Sequence, residues 1–322
     1  MTFSLQSPAP LQEGDLVTIV SPSSRIDKEL VRGQKERLES WGLKVTIAPH
    51  ALDTDGNFAG TTAHRLKDFQ SGMDDDSVRA LFCSRGGYGA VHLLDAIRFD
   101  RFRLSPKWLI GFSDITVLHN LYQREGFISV HGVMARHLAM ESPEDPQTLA
   151  LRQLLFTGVS PTYKLPTHKL NLFGTAKGIL RGGNLSVFYG LRGTPFDLPC
   201  EAEDTILVLE DVGERPYHVE RMMYNLELAG ILSRLRGLVV GQFTDNDDQP
   251  IGDLVDKSIR RSIYQLIYDF VKPYGYPVCF NFPVGHTSQN APLLLGSEVV
   301  LSVGKNETFL ASSTLKNVDN EK

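Results

Sequence analysis

Over roughly the first 150 residues, short apolar runs alternate with segments patterned as helices, and that alternation restricts the fold more than any other feature. Asp15–Ser21 (DLVTIVS), bounded by Gly14 and Pro22, reads as a buried strand. Asp27–Trp41 reads as a helix, with Asp27 as N-cap and Gly42 as stop. The same pattern gives strands at Leu43–Ala48, Val78–Ser84, Lys107–Gly111 and Phe127–His131, and helices at Thr61–Gly72, Gly89–Ile97 and Asp114–Glu125. Apolar strands separated by helices predict a parallel sheet covered on both faces. Ligands on such a sheet bind at the carboxyl ends of the strands.

The pattern changes after about Phe156. Residues 157–175 are rich in Gly, Ser, Pro and Thr and read as a linker. Strands then follow at Ala176–Leu180, Thr205–Leu209, Gly237–Gln242, Val278–Phe280 and Val299–Val303, with helices at His218–Ala229 and Asp253–Lys272. The polar tail Asn317–Lys322 is expected to fray. The predicted fold is α/β: a parallel-sheet N-terminal domain with flanking helices (1–156), the linker, and a strand-rich C-terminal domain (176–322). At 322 residues and 42% hydrophobic, the chain has enough apolar surface for two medium domains.

Composition removes several function classes. Lys plus Arg number 33 against 38 Asp plus Glu, a formal charge of −5, which argues against nucleic acid as partner. No run approaches the ~18 apolar residues of a membrane span, and MTFSLQSPAP lacks the basic and apolar parts of a signal peptide. Cys83, Cys200 and Cys279 are odd in number and widely spaced, so a disulfide framework is not expected and a reducing, cytoplasmic setting fits. Without CxxC, HxxxH or HxH spacing, no metal site is expected; His50, His64, His119, His131 and His168 read as structural or surface residues.

Four segments are suited to chemistry. In Trp108–Leu118 (WLIGFSDITVL) a strand turns into a helix at Gly111, Phe112, Ser113 and Asp114. A sharp strand-to-helix turn lifts a serine hydroxyl clear of the sheet, and the helix N-terminus offers N–H groups to an oxyanion. The spacing is G-x-S-D rather than G-x-S-x-G, and both Ser and Asp are also ordinary N-caps. Ser84–Ala90 (SRGGYGA), after the third strand, is either an ordinary turn or a loop aiming N–H groups at a ligand. Thr205–Asp211 (TILVLED) ends in two acids that cannot share a face, so one faces a site while the other meets solvent. His286, in FPVGHTSQNAPLLL, sits in a loop where it is free to act as a base. Serine, carboxylate and histidine are the ingredients of an activated nucleophile.

Taken together, TIVSPSS, SRGGYG, IGFSDIT, GGNLSV with the later GTP, LEDVGERPYHVERMM, GLVVGQFTD and FPVGHTSQNAPLLLG resemble the LD-carboxypeptidases (muramoyltetrapeptide carboxypeptidases), a family that includes the microcin C immunity proteins. The likeness runs from about Gly14 to Leu301. It implies a cytoplasmic serine peptidase with its active site between an α/β domain and a strand-rich domain. Ser113 would be the nucleophile, Glu210 (rather than Asp211) the carboxylate and His286 the base, with the N–H groups of Gly87 and Asp114 as oxyanion hole. The implied reaction releases terminal D-alanine from murein tetrapeptides without metal or organic cofactor. The implied assembly is a homodimer. Recognition of the substrate's carboxylate points first to Arg85 and then to Arg181, and Asn184 and Gln289 are candidates to orient the peptide. Three alternatives remain. One is an immunity-type hydrolase of acyl-sulfamoyl nucleotides, for which Tyr163, Phe173 or Phe188 would have to stack the base because Trp41 and Trp108 lie in a helix and a strand. The others are a non-catalytic two-domain ligand-binding module and a cysteine-dependent amidotransferase-like protein.

Overall fold

A computed structural model describes residues 5–198, 204–257 and 259–313. In chain order its elements are β1 (Leu16–Val20), α1 (Lys28–Ser40), β2 (Lys44–Ile47), α2 (Thr62–Asp74), β3 (Val78–Cys83), β4 (Trp108–Gly111), α3 (Thr116–Arg124), β5 (Ser129–His131), α4 (Ala135–Met140), α5 (Pro146–Thr157), β6 (Tyr163–Pro166), β7 (Gly174–Asn184), α6 (Leu185–Gly190), β8 (Thr205–Val212), α7 (Pro216–Leu228), β9 (Gly237–Thr244), α8 (Ile263–Val271), β10 (Val278–Cys279), β11 (Leu293–Leu295), β12 (Glu298–Val303) and β13 (Glu307–Ser312). They form two compact units. The first takes the chain up to Val159 together with Leu191–Leu198 and Asn290–Leu295; the second takes the rest.

The first unit is built on a six-stranded sheet in the order β11-β5-β4-β3-β1-β2. Its strands are parallel except β11, which runs antiparallel to β5. Val17, Ile19, Ala80, Phe82, Trp108, Ile110 and Val130 fill its core. Full burial of a large apolar side chain contributes roughly 2–3 kcal/mol. Trp108 is wholly buried, and its indole N–H donates to Ala9 O at 2.8 Å. Helix starts follow the sequence signals: Asp27 accepts from Glu29 N before α1, Thr61 from His64 N before α2, and Asp145 from Thr148 N before α5.

The second unit is a seven-stranded sheet in the order β10-β9-β8-β7-β12-β13-β6. The 11-residue β7 joins its two halves. Residues 174–179 pair antiparallel with β12, and residues 179–184 pair parallel with β8. The parallel half (β7, β8, β9, β10) is buried along β8 and β9, as expected where both faces are covered.

Several expectations need correction. Gly89–Ile97 is no α-helix: only a single 3-10 turn forms at Ala90–Leu93. Ala90 N donates to Asp114, and Gly89 O accepts from Arg65 and, i to i+3, from His92 N, so the segment opens as a 3-10 turn tied to other turns. The helix expected over Asp253–Lys272 shrinks to α8, because Arg260 adopts a φ of 56° and Ser262 caps the helix. Residues 157–175 are not a bare linker: they hold β6, paired with β13, and Leu172 bridges Val278. β11 was unpredicted and completes the first unit's sheet, so the two units are not successive stretches of sequence. Cys200 and the tail at 317–322 lie outside the described residues.

Helix α1 approaches α4 at Gly33, where a Cβ would stand 2.5 Å from Ala139 Cβ. A helical Gly→Ala exchange is ordinarily stabilising by about 1 kcal/mol. At this position the steric conflict prevails, and Gly33→Ala is expected to lower stability by about 1–3 kcal/mol. The check is urea unfolding: a lower midpoint at unchanged slope is expected, and an equal or higher midpoint refutes the close approach.

Candidate active site

In the first unit the chain leaves buried β4, passes Phe112 in an extended conformation and enters Ser113 at a φ of 65°. A serine in that region of backbone space stores about 1–3 kcal/mol of strain and persists only where its surroundings impose it. A 3-10 turn over Ser113–Ile115 follows and continues into α3. The nucleophile-like turn read from sequence therefore exists, at the carboxyl end of β4. The turn after β3 lies directly against it: a Cβ on Gly86 would be 2.8 Å from Ser113 Cβ and 3.1 Å from Oγ. Gly87 has a φ of 97°, and a Cβ there would lie 2.3 Å from Ser24 Oγ, so only glycine fits.

Asp114 does not cap its own helix. It is buried, and its Oδ2 accepts from Ser23 Oγ at 2.7 Å and from Ala90 N at 2.9 Å. Burial raises its pKa, opposed by those two hydrogen bonds and by the charges of Arg65 and His92. Arg65 is 2% exposed and donates to Pro22 O and Gly89 O, both at 2.7 Å. Neither Ser23 nor Arg65 was singled out from sequence. A buried arginine on a helix is recognisable only through the carbonyls it meets, and these come from two distant turns.

In the second unit, His286 Nδ1 lies 2.8 Å from Glu210 Oε2. The Glu210 side chain is wholly buried and that of His286 is 14% exposed. The pairing register of β8 against β9 shifts between Leu209 and Asp211, placing a bulge at Glu210. Bulges re-aim side chains beside functional sites. Gly285 leaves room for the acid: with a φ of 127°, its Cβ would sit 2.9 Å from Glu210 Oε2. Burial pulls the His286 pKa down, but the Glu210 charge, its hydrogen bond, and the charges of Asp211 and Asp248 outweigh it, and the net shift is upward.

Asp211 meets no solvent, contrary to the expectation for one of the two strand-end acids; it is 1% exposed. Its carboxylate accepts from Asn184 Nδ2, Ser186 N, Ser186 Oγ and Val212 N. Burial and the neighbouring Glu210 charge raise its pKa to about 7. Asn184 is thus engaged in fixing the start of α6, its Oδ1 accepting from Ser186 Oγ at 2.9 Å. Arg181 ion-pairs with Asp204 at 2.9 Å and donates to Thr205 Oγ1 at 3.0 Å. That places it at the far end of β8 from Glu210, about 16 Å along the strand. Arg85 is exposed beside Gly86 and donates to Arg25 O at 2.9 Å. Gln289 lines a cleft of about 760 Å3 with Gln242, Asp248, Asn281 and Thr287.

The remaining candidates are structural. His119 is buried between Gly111 O and Ser129 Oγ, and burial lowers its pKa to about 3. His131 is buried against Asn290 Oδ1 at 3.0 Å. Cys83 and Cys279 are buried free thiols; burial pushes Cys83 far up and Cys279 up to about 12. Both tryptophans are buried. Among the described residues no helix is long and apolar enough to cross a membrane.

Comparison with known proteins agrees with these motifs. A family model described as the LD-carboxypeptidase N-terminal domain matches residues 17–132, and one described as the LD-carboxypeptidase C-terminal domain matches 177–301. A probable murein peptide carboxypeptidase of Bacillus subtilis is 31% identical over 307 residues, covering 94% of each chain. The murein tetrapeptide carboxypeptidase of Pseudomonas aeruginosa is 31% identical over 296 residues, covering 88% of this chain and 92% of that one. Among solved structures, MccF in complex with glutamyl sulfamoyl guanosine matches with a TM-score of 0.82 at 21% identity, covering 97% of this chain and 100% of that one. The muramoyltetrapeptide carboxypeptidase from Oxalobacter formigenes matches with a TM-score of 0.75 at 24% identity, covering 92% and 99%. At such identities these structures speak for the fold.

The Glu210–His286 contact has a direct readout. In the wild type, His286 is expected to titrate above the ~6.5 of a free imidazole, and Glu210→Gln is expected to lower that midpoint. NMR titration of the imidazole C–H signal measures both. A wild-type midpoint at or below the free value contradicts the assigned pairing.

Proposed function

The chain belongs to the LD-carboxypeptidase family, and we propose that it is a serine carboxypeptidase releasing terminal D-alanine from murein tetrapeptides, with Ser113, His286 and Glu210 as its triad. The observation that carries this reading is the buried Glu210 carboxylate held 2.8 Å from His286 Nδ1. A carboxylate there fixes the proton on Nδ1, leaves Nε2 as the base and stabilises the imidazolium that forms. A strained serine at the end of a parallel strand supplies the group that needs such a base. The B. subtilis and P. aeruginosa relatives, a probable murein peptide and a murein tetrapeptide carboxypeptidase, support the substrate class.

In the proposed reaction His286 takes the Ser113 proton as Oγ attacks the carbonyl preceding D-alanine. The N–H groups of Gly87 and Asp114 receive the developing oxyanion; one such donor is typically worth about 3–4 kcal/mol. The C–N bond breaks, and His286 gives its proton to the departing amine. Water then attacks the acyl-serine, losing its proton to His286, and the tripeptide leaves as Ser113 recovers its hydroxyl proton. All groups required are side chains and backbone of this chain. Arg85, charged and exposed beside the glycine turn, is the proposed partner of the substrate's terminal carboxylate, because Arg181 is already committed to Asp204. The buried free thiols fit the cytoplasmic setting proposed with this reading, and a homodimer is the assembly proposed with it. Of the candidate aromatics for stacking a nucleobase, both tryptophans and Phe188 are buried and Tyr163 packs on Phe282, while Phe173 is exposed; the murein peptide relatives favour the peptide over an acyl-sulfamoyl nucleotide.

Ser113→Ala is expected to reduce D-alanine release from a murein tetrapeptide by at least ~1,000-fold, with unchanged circular dichroism and urea midpoint. Full retention of turnover would remove Ser113 from the mechanism. A wild type that cuts glutamyl sulfamoyl guanosine but not the tetrapeptide would move the substrate to the immunity class. Arg85→Gln is expected to raise KM for the tetrapeptide while altering kcat little; an unchanged KM refutes its assignment.

A further inference from the structure

The connection from β2 to α2 brings together side chains that the proposed reaction does not use. His50, Asp53 and His64 each offer one ligand atom, and those atoms lie within 4.8 Å of one another. The two imidazoles stack, with ring centroids 4.0 Å apart and planes inclined by 27°. His64 Nδ1 is 2.9 Å from Asp53 Oδ2.

A second observation lies behind the cluster. Asp68, 5% exposed, accepts the His50 backbone N–H at 2.8 Å on Oδ2 and faces His50 Nδ1 at 2.7 Å with Oδ1. A carboxylate placed on Nδ1 holds the proton there, sets the ring's orientation and leaves the Nε2 lone pair for a ligand. Metal-binding histidines are oriented in this way by an outer carboxylate.

From this arrangement we infer a site for one divalent transition-metal ion, with His50, His64 and Asp53 as ligands and Asp68 as the outer carboxylate that orients His50. Two imidazoles and one carboxylate suit Zn2+; Mg2+ and Ca2+ require mostly oxygen ligands and higher coordination. A tetrahedral ion with bonds of ~2.0–2.1 Å spaces its ligand atoms by about 3.3 Å. The side chains therefore close by about an ångström or more on binding, which their partial exposure permits: 23% for His50, 41% for Asp53 and 45% for His64. Water takes the fourth position. The ion would tie the β2–α2 connection to the first turn of α2. That same connection holds the turn after β1 through Arg25 N to Asn57 O at 2.9 Å and Ala59 N to Ser23 O at 3.1 Å. Ser23 is in turn a partner of Asp114. The absence of close histidine spacing in the sequence concealed the cluster, because its ligands stand 3 and 11 positions apart across a loop.

The test uses the full chain after chelator treatment, titrated with Zn2+ alone by calorimetry and by thermal unfolding, and with Co2+ by visible absorption. Expected are one Zn2+ per chain, a Tm that rises with Zn2+ concentration, and intense tetrahedral-type Co2+ absorption. His64→Gln and Asp53→Asn are each expected to weaken Zn2+ binding at least ~10-fold and abolish that absorption. His218→Ala, a control elsewhere on the surface, should leave both unchanged. His64 is exposed enough that His64→Gln should keep the fold, which circular dichroism verifies. Lack of saturable micromolar binding, binding that survives both ligand substitutions, or an equal response to Mg2+ would each overturn the site.

Discussion

One buried carboxylate organises the carboxyl edge of the sheet in the first unit. Asp114 is 3% exposed and collects Ser23 Oγ from the turn after β1 and Ala90 N from the turn after β3, while itself belonging to the turn after β4. Removing a carboxylate from water costs several kcal/mol, and the burial is sustained only where hydrogen bonds and opposite charge replace the lost hydration. Here two donors and the nearby Arg65 do so. Three turns, distant in sequence, meet at one group. That convergence presses Gly86 against Ser113 and holds the serine in a backbone conformation it would otherwise leave.

The second unit solves a different electrostatic problem. Glu210 and Asp211 are adjacent, and both are buried. Two carboxylates so placed disfavour simultaneous ionisation. The strand separates them by the bulge at Glu210, which directs the two side chains to different partners. Glu210 meets an imidazole whose pKa it raises. Asp211 meets neutral amide and hydroxyl donors from the start of α6, and burial with the Glu210 charge lifts it to about 7. The division gives one acid to the histidine and the other to the start of α6, and it explains why Asn184 belongs with Asp211.

How far the sequence discloses such a structure depends on whether an element's determinants are local. Strands β1, β3 and β4 were legible because short, mostly apolar runs bounded by turn residues leave few alternatives to a buried parallel strand. Helices α1 and α2 carry their own caps, Asp27 and Thr61. By contrast, Gly89–Ile97 has helical composition but forms only a 3-10 turn, tied to Asp114 and Arg65 from other parts of the chain. β11 consists of leucines that suit strand or helix equally, and only its pairing with β5 decides. The turn at Ser113 and the strand end at Glu210 were legible because each closes an apolar run. The direction of the Arg181 side chain, by contrast, is not written in its motif: it turns back toward Asp204 at the other end of β8.

The departure of Gly111–Ile115 from the G-x-S-x-G pattern has a physical reading. In that pattern a small residue two positions after the serine lets the helix pack closely on the sheet. Here that position is Ile115, which is wholly buried. The room is supplied on the strand instead: a Cβ on Gly111 would stand 2.9 Å from Ile115 Cγ1 and 3.0 Å from Cys83 Cβ. Ile115 therefore packs across β4 toward β3 and anchors the turn by apolar contact, while its neighbour Asp114 anchors it by hydrogen bonds to the turns after β1 and β3. A glycine after the serine would add conformational freedom exactly where none is wanted; an isoleucine and a buried acid remove it. The turn is thus held from two sides, and these contacts bear the strain at Ser113.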